Sequence, residues 1–119
     1  MISVAAFRKL ALAQAGTAEA PHFDLASFRA GGKIFATLSE KEARAMVKLT
    51  PEQQEVLTAA EPEMFQRIPN TWGDKGATWL HLKQADRAAA ESALKTAWTN
   101  VTAPKSAPKR RVANKDRSR

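Results

Sequence analysis

Aromatic and cationic side chains that could bind nucleic acid recur along the middle of the chain. Phenylalanine and tryptophan rings stack on bases, and lysine and arginine neutralise phosphates. The residues concerned are Phe28, Lys33, Phe35, Arg44, Lys48 and Trp79. They can act together only if one face of a sheet presents them. The proposed contact surface therefore depends on how the strands pair.

A second basic region lies at the end of the chain. Residues 104–119 hold seven lysines and arginines and one aspartate, a charge of +6, whereas residues 1–103 hold twelve cations and eleven acids, a charge of +1. The Pro-, Ser-, Lys- and Arg-rich composition predicts a disordered tail. Its cations, among them Lys105, Lys109, Arg110 and Arg111, would add non-specific, salt-sensitive affinity for phosphates. The alternative is a solubilising extension without a partner.

Turn residues divide the middle of the chain into strands. Gly31-Gly32 supplies the positive φ angles that a two-residue hairpin needs, and Ser39–Glu42 predicts a four-residue turn. A turn flanked by glycines at 72–76 precedes a later strand. The predicted strands are Ala26–Ala30, Lys33–Leu38, Ala43–Leu49 and Ala77–Leu82.

The two turns set a register, and the register sorts side chains onto two faces. Phe28 is expected opposite Phe35, and Phe35 opposite Met46, with faces alternating along each strand. One face is aliphatic and is expected to be covered by helices; it collects Ile34, Ala36, Leu38, Ala43, Ala45, Val47 and Leu49. The other is aromatic and cationic without an acid, and Trp79 and His81 join it. Alternatively, the rings of Phe28, Phe35 and Trp79 form a minor core beneath Trp72 and the 66–76 loop.

Three helices are predicted around this sheet. Apolar residues recur at helical spacing over residues 3–14, with Ser3 as the N-cap. The stretch Thr50-Pro51-Glu52-Gln53 combines a capping box with proline at the first helical position, and the helix it opens is expected to bury Val56, Leu57 and Ala60. A third helix covers about residues 86–101 and starts from Asp86.

The residue types present speak against catalysis and metal binding. The chain has no cysteine, and its only histidines, His22 and His81, belong to no recognisable catalytic arrangement. The first helix offers no carboxylate for iron. We therefore expect a non-enzymatic protein without catalytic residues, metal or cofactor. No apolar run is long enough to span a bilayer, and the lack of cysteine fits a reducing, cytoplasmic location. No heptad seam suggests a coiled coil, so a monomer is expected.

A second function uses overlapping residues differently. His22, Trp72, Trp79 and His81 could line a concave pocket for a small molecule or a peptide. A protein-interaction or regulatory module, with the tail reaching an acidic partner, is a third reading.

Several local patterns together resemble the MmcQ/YjbR family over about residues 3–102. They are Pro21-His22-Phe23; Phe28-Arg29-Ala30-Gly31-Gly32-Lys33-Ile34-Phe35-Ala36; Val47-Lys48-Leu49 followed by Thr50-Pro51-Glu52; and Pro69 with Trp72-Gly73 and Gly76. The resemblance implies a frataxin-like (CyaY-like) α+β fold and DNA binding. Members often carry tryptophan directly after the glycine matched by Gly76, whereas here Ala77 follows and the tryptophan is Trp79.

The expected architecture is thus an α+β domain over residues 1–103, with an antiparallel β-meander and helices packed on one face, followed by the tail at 104–119. The expected function is DNA binding through the aromatic and basic sheet face, assisted by the tail.

Overall fold

The computed structural model describes residues 1–103, which form an α+β domain. Its six strands make one antiparallel sheet in the order β1-β2-β3-β4-β6-β5. The strands are β1 Ala18–His22, β2 Leu25–Ala30, β3 Lys33–Ser39, β4 Arg44–Lys48, β5 Phe65–Arg67 and β6 Ala77–His81. The helices of the described residues are α1 Val4–Leu12, α2 Pro51–Ala60, α3 Thr71–Asp74 and α4 Arg87–Thr102. The predicted fold class is confirmed for these residues.

The long helices begin where the capping residues predict. The hydroxyl of Ser3 accepts a hydrogen bond from the backbone N–H of Ala6, and the carboxylate of Asp86 accepts one from Ala89. At α2 the side chains of Thr50 and Gln53 bond to each other's backbone N–H, which completes the capping box. Each cap satisfies an N–H group that has no partner within its helix.

The core lies between the helices and one face of the sheet. Helix α4 packs across β2, β3 and β4, and α1 packs beside it, with the ring of Phe7 meeting Phe28 edge-on at 6.2 Å. Of the aliphatic strand residues predicted for this face, Ala36, Leu38, Ala45, Val47 and Leu49 are buried in it and Ala43 is partly buried, and Leu80 and Leu82 join them. Ile34 lies opposite Arg29 on the other face of the sheet, so its predicted placement is wrong.

Helix α2 contacts the sheet differently from the prediction. Val56 is 66% exposed and Ala60 is also exposed, so their expected burial is wrong, and only Leu57 is partly buried. The buried residue is Gln54, whose amide donates to the carbonyls of Gly73 and Ala77 at 3.0 Å and to the hydroxyl of Thr78 at 3.2 Å. An amide that joins three buried oxygens holds α2, α3 and β6 together by hydrogen bonding rather than by apolar packing.

A β-bulge in β3 overturns part of the predicted register. Phe28 lies opposite Ala36, whereas Arg29 lies opposite Ile34, which leaves Phe35 as an extra residue between two regular pairs. The predicted pairing of Phe28 with Phe35 is therefore wrong. Both rings are fully buried in the core cluster, so neither belongs to a recognition surface.

The register of β4 is also shifted, but without consequence for its faces. The turn uses Glu40–Ala43 instead of Ser39–Glu42, so Leu38 pairs with Ala45 rather than Ala43, and Thr37 rather than Phe35 lies opposite Met46. A shift of two residues returns every side chain to its own face, since the strand period is two. Ala43 adopts a positive φ of 51° to close this turn.

Two edge strands escape the sequence prediction. β1 reads Ala-Glu-Ala-Pro-His, which has no apolar alternation, and β5 is three residues long. Both strands form because a neighbouring strand offers backbone hydrogen bonds, and not because of their own side chains.

Candidate nucleic-acid interface

The sheet face turned away from the core carries most of the cations of the strands. Residues opposite one another share a face, which lines up Ser39, Arg44 and His81 in one row and Thr37, Met46 and Trp79 in the next. We call this surface the cationic face and define it by Arg29, Arg44, Met46, Lys48, Trp79 and His81. The predicted placement of Arg44, Met46, Lys48, Trp79 and His81 on one face is confirmed.

The centre of the cationic face is a stacked pair. The guanidinium carbon of Arg44 lies 3.8 Å from the ring centroid of Trp79. A terminal nitrogen of Arg44 also bonds to Glu42 in the preceding turn at 3.0 Å. Its buried Nε has no hydrogen-bond partner within residues 1–103. The Arg44 side chain is 29% exposed, and a guanidinium can stack on planar groups such as bases.

His81 lies beside this pair on β6, and its surroundings favour the neutral imidazole. Its Nε2 is 2.8 Å from the amide oxygen of Gln66 on the neighbouring strand. Partial burial, and secondarily the positive charge of Arg44, lower the pKa of His81 below its ordinary value of 6.5. The centre of the cationic face thus has one permanent cation, Arg44, beside a histidine whose neutral form is favoured.

Two further cations lie toward one end of the stacked pair. Arg29 is exposed on β2, where it pairs with Ala18 of the edge strand, and Lys48 is exposed at the end of β4. Strands β2 and β4 are two spacings apart, about 10 Å, and Lys48 lies four residues or about 13 Å along β4 from Arg44. Along one strand of a DNA duplex, at about 3.4 Å per nucleotide, these separations correspond to about three to four nucleotides.

Small residues lie between the cations. Ser27 is fully buried and donates its hydroxyl to the carbonyl of Ala20 at 2.9 Å, while Thr37, opposite Ser27, is 8% exposed. Glu19, which is the only acid within the six strands, pairs with Phe28 on the core side and bonds to Arg8 of α1. The strand positions of the cationic face therefore carry no carboxylate within the described chain.

Arg29 is a surface cation that the sequence analysis missed, and Lys33 is one that it misplaced. Lys33 pairs with Ala30, whose side chain is buried in the core, so Lys33 lies on the helix side at the end of the hairpin. Phe28 and Phe35 lie in the core. The signal that would have found Arg29 is the buried character of Phe28 and Ala30, which leaves the residue between them on the opposite face.

The four residues of the alternative pocket do not come together. His22 and His81 share a row, but they lie on β1 and β6, four strand spacings or about 19 Å apart. Trp72 lies on α3 and is 66% exposed. His22 instead meets the ring of Phe23 edge-on, at 4.9 Å between centroids, in the β1–β2 turn. Trp79 and His81 remain neighbours on the cationic face.

The basic residues of the tail lie outside the described residues. These are Lys105, Lys109, Arg110 and Arg111, for which the predicted contribution to binding stays a prediction. Within residues 1–103, no group of three or more His, Asp or Glu side chains is placed to hold a metal ion. None of the described helices has the length and apolarity to cross a bilayer.

Comparison with known proteins finds similarity over most of the domain. The YjbR family model matches residues 12–100. Among solved structures, the crystal structure of the Deinococcus radiodurans protein DR2400, with a DUF419 domain, superposes with a TM-score of 0.74 and 18% identity. The match covers 92% of this chain and 84% of the Deinococcus chain. No functionally curated protein matches. At this identity the structural likeness supports the fold alone.

Proposed function

The chain belongs to the YjbR family, and we propose that it is a non-enzymatic DNA-binding protein that contacts its ligand through the cationic face. The observation that carries the proposal is the guanidinium of Arg44 stacked 3.8 Å from the centre of the Trp79 ring. A base that stacks on this pair would gain dispersion from two planar groups and attraction to the cation. Such stacking tolerates any base, so sequence-independent binding is expected.

The distribution of charge supports the same function. Residues 1–103 carry +1 in total, yet the strand positions of the cationic face hold Arg29, Arg44 and Lys48 without an acid. Glu42, in the adjoining turn, neutralises part of the charge of Arg44. A nucleic-acid strand laid across β2–β4 would meet Arg29 and Lys48, which lie level with each other on the same side of the Arg44–Trp79 pair. Phosphate contacts would then fix the position of the ligand, and stacking would add affinity.

The state of the histidines supports a role without catalysis. His81 is held by an amide rather than by a carboxylate, and His22 packs against Phe23. Neither arrangement resembles a base that activates a nucleophile. We place this binding role in the cytoplasm, with the protein acting as a monomer.

The tail would add a second, less selective contribution. Seven cations within residues 104–119 can each neutralise a phosphate without reading a base. For single strands, the slope of log K against log salt changes by about 0.7 per neutralised phosphate. The phosphates neutralised by the tail and by the cationic face can therefore be counted separately.

The test measures binding of a fluorescent oligonucleotide, single-stranded and duplex, by anisotropy at two salt concentrations. The pair Arg44→Gln with Lys48→Gln removes two cations of the cationic face. We expect affinity for the single strand to fall about tenfold, which corresponds to about 1.4 kcal/mol, with a shallower salt dependence. The duplex serves to show whether an unpaired, accessible base is needed.

The matched control, Lys9→Gln with Arg87→Gln, removes one exposed lysine and one exposed arginine from helices α1 and α4. It should change affinity only slightly. Equal losses in both double variants would mean that net charge alone drives binding. If a chain ending at Ala103 binds nothing while the full chain binds, the tail is responsible and the cationic face is not the site.

A further inference from the structure

A groove between α2 and α4 lies on the helix side of the sheet, away from the cationic face. Its volume is about 450 Å³. Its apolar wall includes Val56, Leu57 and Phe65, and α4 contributes Ala89, Ala93 and Thr96. Val56 is 66% exposed at this surface. The groove therefore offers apolar surface that no described residue covers.

The rim of this groove is acidic. Glu52 and Glu61 line it near the two ends of α2, and no lysine, arginine or histidine lines it. Residues 49–66 contain four glutamates, at 52, 55, 61 and 63, and no cation. Neither Glu52 nor Glu61 forms an ion pair with another residue of the 1–103 segment. A basic segment with one apolar side chain would suit this combination.

The chain itself leads from α4 to the open end of this groove. The amide of Asn100 donates to the Gln53 side chain at 2.8 Å and to the carbonyl of Lys48 at 2.9 Å, so α2 begins beside the last turn of α4. A depression of about 310 Å³ lies between the start of α2 and the end of α4. It is lined by Gln53, Thr96, Thr99 and Asn100, and Lys95 is its only charged residue. Helix α4 ends at Thr102, and Ala103 is extended, with φ −64° and ψ 144°.

The length of the remaining chain fits the groove. α2 spans ten residues, a length of about 15 Å. Sixteen residues follow Ala103, and in extended form eight of them reach about 26 Å. Lys109, Arg110 and Arg111 are six to eight residues beyond Ala103, and Val112, the only large apolar residue of the tail, follows them. The basic cluster can thus reach Glu61, and Val112 can reach Val56.

We propose that residues 104–112 return along the groove between α2 and α4, with the basic cluster beside Glu52 and Glu61 and with Val112 against Val56 and Leu57. Electrostatics favours this side of the domain, since residues 104–112 carry a charge of +4 and the cationic face would repel them. The inference does not depend on DNA binding. If DNA does bind, it competes with the glutamates for the same lysines and arginines, so the groove would regulate how much of the tail is available.

The absence of cysteine makes a spin-label experiment direct. Ala113→Cys in the full-length chain carries a nitroxide beside Val112, and the backbone amide signals of the folded domain report its proximity. We expect strong paramagnetic broadening at Val56, Leu57 and Ala89 and little at Thr37 or Trp79. Raising the salt to about 0.5 M, where the Debye length is about 4 to 5 Å, should reduce the broadening severalfold.

The charge requirement is tested in the same labelled chain. Glu52→Gln with Glu61→Gln should reduce the broadening at least threefold, whereas Glu55→Gln, an exposed acid of the same helix that does not line the groove, should leave most of it. Val112→Ser should weaken it as well. These variants alter exposed side chains, so the amide spectrum itself verifies that the domain stays folded.

Three outcomes would overturn the inference. Uniform, weak broadening over the whole domain would mean that the tail has no preferred position. Broadening centred on the cationic face would place the tail on the wrong side of the sheet. In a sample that mixes spin-labelled chains with isotope-enriched chains without a nitroxide, broadening of the isotope-enriched chains would show that the occupant of the groove belongs to a second copy of the chain.

Discussion

The β2–β3 hairpin and the β4–β6 pair both carry aromatic and basic residues, but the domain uses them in opposite ways. In the hairpin, Phe28 and Phe35 are fully buried and Lys33 lies at the helix side. In the β4–β6 pair, Trp79 lies under Arg44 on the cationic face. Similar residue types thus serve packing in one half of the sheet and present a surface in the other.

The difference arises from one residue of β3. Strict alternation would place Phe35 on the cationic face, but the bulge at this residue directs its side chain into the core. The β4–β6 pair has no such irregularity, because its five pairs run in unbroken register from Arg44–His81 to Lys48–Ala77. Alternation therefore predicts faces reliably only where the ladder is continuous.

The largest effect expected from this comparison is on stability. Phe28→Ala removes a fully buried ring that meets Phe7, and should lower the free energy of unfolding by about 3–5 kcal/mol. Denaturant titration followed by circular dichroism measures it. Phe35→Ala should behave alike. A Phe28→Ala protein of unchanged stability that had lost DNA affinity would reverse the assignment of the two regions.

Trp79→Ala should give the complementary result. Trp79 is only partly buried, so its loss should affect stability much less than the loss of Phe28. The affinity for single-stranded DNA should fall about tenfold, since one base–aromatic stack contributes about 1–3 kcal/mol. Trp79→Phe retains a ring and should recover part of the affinity. If Trp79→Ala leaves binding intact, the stacked pair is not the site.

The residues at these two positions also show how much of the fold and of the site could be predicted from the sequence. Gly31-Gly32, with φ angles of 60° and 80°, and the capping box at Thr50 are local signals, and the structure has both where they were predicted. The bulge leaves no such signal, because Ile34, Ala36 and Leu38 recur at alternate positions and would place Phe35 on the opposite face. β1 forms only because β2 provides a partner, and Gln54 is buried because three separate segments converge on it. The predicted placement on one face was therefore correct for Arg44, Lys48 and Trp79, and wrong for Phe28, Lys33 and Phe35.

The pH dependence of stability should give a smaller effect, which originates at His81 in the β4–β6 pair. Burial and Arg44 lower the pKa of His81 in the folded state below that in the unfolded chain, so the unfolded state takes up the proton first as the pH falls. This contribution to stability is complete above about pH 6.5 and declines below it. It should be small, because water reaches part of the ring. The measurement compares the wild type with His81→Gln between pH 7.5 and 5.5.

The control for that comparison is His22→Gln, on β1 at the far edge of the same row. It should keep the pH-dependent component that His81→Gln removes. If His81→Gln loses as much stability at low pH as the wild type does, the neighbourhood of Arg44 does not disfavour the imidazolium.

The smallest expected effect concerns Lys33, and it tests the bulge most sharply. Lys33 and Lys48 are both exposed lysines at strand ends, but Lys33 pairs with the buried Ala30 and therefore faces the helix side. Lys33→Gln should leave DNA affinity nearly unchanged, whereas Lys48→Gln should lower it severalfold, although both remove one charge. Because net charge and residue type are matched, only the face distinguishes them. Equal losses at both positions would show that binding follows overall charge, and that the bulge has no bearing on recognition.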